Sequence, residues 1–468
     1  MRIRFLLIVI ISLAGCEQPP RVTVDDEVLV GKYAGESVAA FLGVPFAEPP
    51  VGDLRWRAPQ PLTSKTDRRE TTEFASACMQ TMRILDWYRS MAASFGASPD
   101  YYDDLQVSED CLYLNLWTPT LDNDATLPVM VWVHGGSNKS GWSFEDNYRG
   151  HILAPQGVVV VTVAYRLGAF GFLSHPELEG EDAVANFSLW DLVAALQWIQ
   201  DNIVHFGGDP NRVTLFGESS GAENILALMF SNEAGHLFHR AALQSTAGVG
   251  LSMPTLEDEQ RRGADFMAAM DARSLQDLRK TSATTLLETY TELTADHYHS
   301  PAIDGQLITE STWESMQAGL WPDHAVLIGT NADEYPDRAA TAEEYVCPSQ
   351  NVAAKRTASG GDAWMYFFSR VREDEAGAEI GAYHGAEYPY VFGVHDDYMT
   401  TTDVDLELSA IMQQYWINFA TTGDPNGNGL PDWPMFKRPD PLVQEFGDEI
   451  ITIAAIEPEM CASFEASN

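Results

Sequence analysis

A serine set between glycines, Gly217-Glu218-Ser219-Ser220-Gly221, is the segment of this chain best suited to chemistry. The pattern G-x-S-x-G is short and weak by itself. Here an apolar, β-prone run from Val213 to Phe216 leads straight into it, and a helix-prone run from Ala222 to Phe230 leads out. A serine on such a sharp strand-to-helix turn presents its hydroxyl to the outside. The glycines leave room for the neighbouring strand and helix. This placement serves nucleophilic attack on a carbonyl, with the hydroxyl activated by a nearby base.

The base has to come from elsewhere in the chain. A serine on this kind of turn is followed by its acid and then by its histidine. Of the 11 histidines, His384 and His395 follow both the serine and the last strand able to carry an acid. His384 sits in Tyr383-His384-Gly385, an open loop that suits a mobile imidazole. His395 is followed by Asp396 and Asp397 and reads as a surface residue. His297 and His299 form an H-x-H pair with no third ligand nearby, so no metal is expected. The acid should follow the strand Ala325 to Ile328, where Asp333 and Glu334 stand side by side. The residues alone leave both open. An oxyanion would be met by backbone N–H groups of the turn His134-Gly135-Gly136-Ser137, which follows the run Val129 to Val133, together with the N–H of Ser220.

The elements that must position these groups alternate. Pro128 to Val133 and Gly157 to Val163 are continuous apolar runs, which suit parallel strands buried on both faces. Arg212–Phe216, Ala325–Ile328 and Ala363–Phe368 read as further strands. Leu189 to Ile203 carries Leu192, Ala195, Leu196 and Ile199 on one helical face. Strands alternating with helices predict a mostly parallel α/β sheet. Leu251 to Ala295 reads as a polar helical insertion capping the sheet's carboxyl edge. No repeat or Pro/Ser-rich hinge divides the chain, so residues 27–468 are expected to form one domain.

Charge narrows the partners. The 468 residues include 68 acidic and 28 basic side chains, a net charge of −40. Such a surface repels phosphate, which excludes a nucleic-acid partner. Apolar residues make up 45% of the chain, enough for a large core. At the start, Arg2 and Arg4 precede an apolar run from Phe5 to Ala14 that is too short to span a bilayer. Leu13-Ala14-Gly15-Cys16 resembles a bacterial lipobox. That resemblance implies a signal peptide over 1–15, lipid on Cys16, a linker over 16–26 and export to the outer membrane, with the lipid as the sole membrane contact. Cys78, Cys111, Cys347 and Cys461 remain. Four cysteines allow three pairings.

Taken together, the motifs resemble those of the type-B carboxylesterases, the family that includes the cholinesterases. Phe41-Leu-Gly-Val-Pro-Phe-Ala-Glu-Pro-Pro-Val-Gly52, Ser108-Glu-Asp-Cys-Leu-Tyr-Leu-Asn115 and Phe206–Ala222 look like its signatures, and they occur in its order. His384-Gly385-Ala386-Glu387, Asn418–Pro425 and Trp433-Pro434 resemble its later segments. The resemblance implies an α/β-hydrolase fold: a mostly parallel central sheet flanked by helices, with an inserted helical cap region. It implies a triad of Ser219, Glu334 and His384, with Glu334 chosen over Asp333, and an oxyanion hole of Gly136, Ser137 and Ser220. It implies disulfides Cys78–Cys111 and Cys347–Cys461, and scaffold ion pairs Arg55–Glu109 and Arg166–Asp191. The activity implied is hydrolysis of small to medium carboxylic esters through an acyl-enzyme, without metal or cofactor. The same triad serves amides and thioesters. Members of the family that became non-catalytic adhesion modules lost the serine, whereas all three positions are filled here.

The chain also departs from the family. Ser137 stands where the third oxyanion glycine is usual, Ser220 replaces an alanine, and Tyr335 replaces a glycine after the acid. Between Cys78 and Cys111 the one tryptophan is Trp87, away from the place where cholinesterases stack choline. Tyr101 and Tyr102 occupy that place, which argues against a choline ester.

Overall fold

The apolar runs line up in one sheet. The computed structural model describes residues 18–467 except 36, 64, 65, 99 and 247–252, so Cys16 and the expected signal peptide over 1–15 lie outside the described residues. In chain order the strands of the central sheet are β1 (Lys32–Tyr33), β2 (Ala39–Pro45), β3 (Tyr113–Thr118), β4 (Leu127–Val133), β5 (Val159–Val163), β6 (Gly208–Glu218), β7 (Arg240–Gln244), β8 (Ala325–Asn331), β9 (Ala363–Phe368), β10 (Leu442–Phe446) and β11 (Ile450–Ala454). Their spatial order is β11-β10-β9-β8-β7-β6-β4-β5-β3-β2-β1. From β10 to β5 every neighbouring pair is parallel. The flanking strands β3, β2 and β1 on one side and β11 on the other pair antiparallel. This is the expected α/β-hydrolase architecture.

Alternation along each strand feeds two cores. In β4, Val129, Val131 and Val133 face one layer, where they meet Leu192, Leu196 and Ile199 of a helix over Phe187–Asn202. Met130 and Trp132 face the other layer and meet Tyr415, Trp416 and Phe419 of a helix over Asp403–Thr422. The five residues from Val129 to Val133 are at most 1% exposed. A strand buried on both faces must be apolar throughout, as this one is.

The predicted cap is three helices, Leu256–Ala269, Leu275–Lys280 and Ala283–Leu293. Phe266, Leu275, Leu278, Leu286 and Tyr290 pack onto Phe170, Leu173 and Phe187. Arg55 holds this layer down. Its guanidinium pairs with Glu109 at 2.6 Å and donates to the carbonyls of Leu278 (2.9 Å) and Thr281 (3.0 Å). Carbonyls at a helix C-terminus lack internal donors, and the Arg55 cation supplies them. Arg166 and Asp191 pair at 2.7 Å with both side chains buried. Cys78–Cys111 and Cys347–Cys461 are both bonded. The first closes a loop that carries helix Arg83–Ser94.

Candidate active site

Register places the serine beside the glycine turn. In the pairing of β6 with β4, Gly217 lies opposite Val133, so Ser219 and Gly135–Ser137 emerge together from neighbouring parallel strands. Ser219 has φ 54° and ψ −130° and stands as the cap residue before a helix over Ser220–Met229. A positive φ is strained for a serine, and its persistence marks a tightly braced turn. The Ser219 N–H donates to the Gln244 carbonyl of β7 at 2.9 Å. A Cβ on Gly221 would stand 2.2 Å from the Val133 carbonyl oxygen, so only glycine lets the helix start this close to β4. The Asn138 N–H donates to Ser220 Oγ at 3.0 Å, which ties the glycine turn to the turn of Ser219.

The acid and the histidine meet through a second register. Residue Asp333 bridges Tyr383 in parallel, with the Asp333 N–H on the Ala382 carbonyl at 3.0 Å. The next residues, Glu334 and His384, therefore lie side by side. Glu334 turns inward. One carboxylate oxygen accepts from Thr330 Oγ1 and the Asn331 N–H, both at 2.7 Å, and the other lies 2.5 Å from His384 Nδ1. Asp333 turns the other way and accepts from the Ala382 N–H at 2.8 Å. Alternation along the backbone thus separates the two adjacent acids that the residues alone left open.

The imidazole has a second acidic neighbour. His384 Nε2 lies 2.8 Å from Glu218 Oε1. Burial of the ring opposes its charge, but Glu218 and Glu334 outweigh burial and hold the imidazole well above the ordinary histidine range. Burial likewise works against the charge of Glu334. His384 and the Asn331 N–H overcome it and keep this carboxyl below its usual value. Behind them, Glu387 is fully buried and accepts from Gln244 Nε2 (2.8 Å) and Asn331 Nδ2 (2.6 Å). Burial pushes Glu387 up to about 7.

These groups face a cavity of about 820 Å³. Its lining includes Ser219, His384, Glu218, Gly136, Ser137 and Trp87. Ser137 also has a positive φ, 59°. Trp87 is therefore a wall of the cavity, a role its position in the sequence did not disclose. Glu145 also lines the cavity and hydrogen-bonds Tyr88, and burial raises its carboxyl to about 7.

Some expectations need correcting. His395 is not a free surface residue: its Nδ1 lies 2.9 Å from Arg372 and its ring packs edge-on to Tyr390. The adjacent Asp396 is buried and accepts from Asn147 and Tyr102. Sequence reasoning missed the contact of Glu218 with His384. Its signal was faint, since Glu218 was visible only as a variable position of the serine motif.

Comparison with known proteins places the chain. A family model described as the carboxylesterase family matches residues 18–344 and 336–456. A fumonisin B1 esterase of Sphingopyxis macrogoltabida is 32% identical, over 88% of this chain and 84% of its own. A liver carboxylesterase of Sus scrofa is 30% identical, over 91% and 89%. Among solved structures, a PNB esterase aligns with a TM-score of 0.84 at 29% identity, covering 95% of this chain and 99% of its own. A Geobacillus stearothermophilus carboxylesterase aligns at 0.82 and 27%, with the same coverage.

Proposed function

The chain belongs to the carboxylesterase family and is a serine carboxylesterase, and on that premise we propose how its residues divide the work of ester hydrolysis. Ser219 attacks the ester carbonyl while His384 takes its proton. Glu334 orients the imidazole through Nδ1 and stabilises its charged form. To accept the serine proton the imidazole must be neutral, so Nε2 first releases its proton to solvent and turns its lone pair from Glu218 to Ser219. Backbone N–H groups of Gly136, Ser137 and Ser220 meet the oxyanion, and in serine hydrolases one such donor contributes about 2.7–4 kcal/mol. His384 then protonates the leaving alcohol, and water repeats the sequence on the acyl-serine.

The observation that carries this reading is the strained turn of Ser219 lining the same cavity as an imidazole held 2.5 Å from a buried carboxylate. A cavity of about 820 Å³ suits small to medium esters. The test is turnover of a 4-nitrophenyl ester series, acetyl to dodecanoyl, by wild type and Ser219→Ala. The proposal expects turnover by wild type alone, and equal turnover by both would end it.

Two disulfides suit an oxidising compartment and hence an exported protein. Among the described residues, no helix is long and apolar enough to cross a membrane. We further propose that residues 1–15 are removed, that Cys16 is lipidated and anchors the enzyme to the bacterial outer membrane, and that 27–468 is the catalytic domain. Labelled palmitate should enter the wild type and not Cys16→Ser. Label in both would contradict the anchor.

A further inference from the structure

We propose that Arg83 selects esters carrying a second, negatively charged group, a carboxylate a few bonds from the scissile carbonyl. This rests on the esterase reading above and names the substrate class of that same cavity.

The argument begins with charge. In a chain of 68 acidic and 28 basic side chains, most cations near a cleft should find a carboxylate. Arg83 is the one lysine or arginine among the residues lining the cavity, and among the described residues no carboxylate pairs with it. Its contacts run through one nitrogen to neutral oxygens. Nη2 donates to the Gly136 carbonyl at 3.0 Å, and reaches Ser140 Oγ at 3.3 Å and Ser137 Oγ at 3.5 Å. A guanidinium has five N–H donors and stays charged, so it retains donors for an anion after one nitrogen is engaged. Nη1 and Nε make no hydrogen bond among the described residues, so each has an N–H left to donate singly to an anion.

The acids that share the cavity are already engaged. Glu334 and Glu218 both face His384. Glu145 hydrogen-bonds Tyr88 and the Trp142 N–H, and Asp333 accepts from the Ala382 N–H. Glu379 is exposed at the rim. A second cation, Lys139, lies close enough to Arg83 to feel its charge, and its Nζ donates to the Thr294 carbonyl at 2.8 Å. Because Arg83 grips the oxyanion turn itself, an anion held by its unused Nη1–H or Nε–H stands near the reacting carbonyl. That geometry fits half-esters of short dicarboxylic acids.

The test compares monoethyl glutarate with ethyl 5-methylhexanoate, in which an isopropyl group replaces the carboxylate. Proton release is followed for wild type, Arg83→Gln and Arg83→Lys. The readout is the ratio of kcat/KM for the anionic ester over the neutral one. We expect the wild type to favour the half-ester, the ratio to fall about tenfold or more in Arg83→Gln, and Arg83→Lys to recover part of it. Added salt should lower the wild-type ratio. If the ratio is the same in Arg83→Gln, or both esters lose turnover in parallel, Arg83 only braces the oxyanion turn and the proposal is overturned. Hydrolysis of the neutral ester alone by wild type overturns it while leaving the esterase reading intact. Hydrolysis of neither overturns it as well, and turnover of the 4-nitrophenyl series then shows whether the esterase reading stands.

Discussion

His384 Nε2 lies 2.8 Å from Oε1 of Glu218, the residue immediately before Ser219. A general base must be neutral to accept a proton. Burial disfavours charge on this ring, but Glu218 and Glu334 overcome it and raise the imidazole well above its ordinary 6.5. The acid limb of kcat/KM in the free enzyme should therefore sit above that value. Glu218→Gln removes one of the two anions, so the limb should move to lower pH. A pH–rate profile for both proteins checks this, and an unmoved limb would contradict it.

The same shift has a stability sign. A histidine raised on folding contributes stability that is fully present below its unfolded value, and this is lost as pH rises through the folded one. Glu218→Gln should therefore lose more stability near pH 6 than at alkaline pH. Urea melts at both conditions read the difference, and an equal loss at both would count against the pairing.

Glu334 and Asp333 are adjacent but unequal. Glu334→Gln keeps an oxygen near Nδ1 but removes the charge and permits the wrong tautomer. Such a change lowers kcat by about 10⁴-fold in another serine hydrolase. Asp333→Asn should lower kcat far less, because its carboxylate bonds a backbone N–H and not the imidazole. Steady-state kinetics decide, and equal losses would remove Glu334 from its role.

Ser137 holds a left-handed backbone conformation at φ 59°. A side chain costs about 1–2 kcal/mol in that region. Ser137→Gly should raise the melting temperature and, by clearing the hydroxymethyl group from the cavity wall, shift preference toward longer acyl chains. A chain-length profile unchanged from wild type would show that Ser137 does not set the pocket.

Arg55 joins Glu109 to the carbonyls of the cap helix Leu275–Lys280. Arg55→Ala leaves a mostly buried carboxylate and several carbonyls without their donor, and should cost about 3–5 kcal/mol. Chemical denaturation measures this, and a loss within experimental error would show that the cap holds without it.

Much of this was legible in the sequence because long apolar runs admit few readings. Pro128–Val133 and Gly157–Val163 became β4 and β5 because a strand covered on both faces must be apolar throughout. Strand β7, Arg240–Gln244, escaped notice because its five residues include two alanines and end in polar side chains. Within the candidate site, the segments of Ser219, Glu334 and His384 announced themselves by motif. The inward turn of Glu334 did not, because it depends on the bridge between Asp333 and Tyr383, 50 residues away in sequence. His395 misled because two neighbouring aspartates suggest solvent, whereas Arg372 packs against it and Asp396 is buried.

The central claim is that Ser219 is the nucleophile. The most direct test is mass spectrometry of the protein after reaction with an organophosphate. The account predicts one added phosphonyl group on the peptide carrying Gly217–Gly221, loss of esterase activity in step with labelling, and no label in Ser219→Ala. A label on another residue, or full activity in the labelled protein, would contradict it.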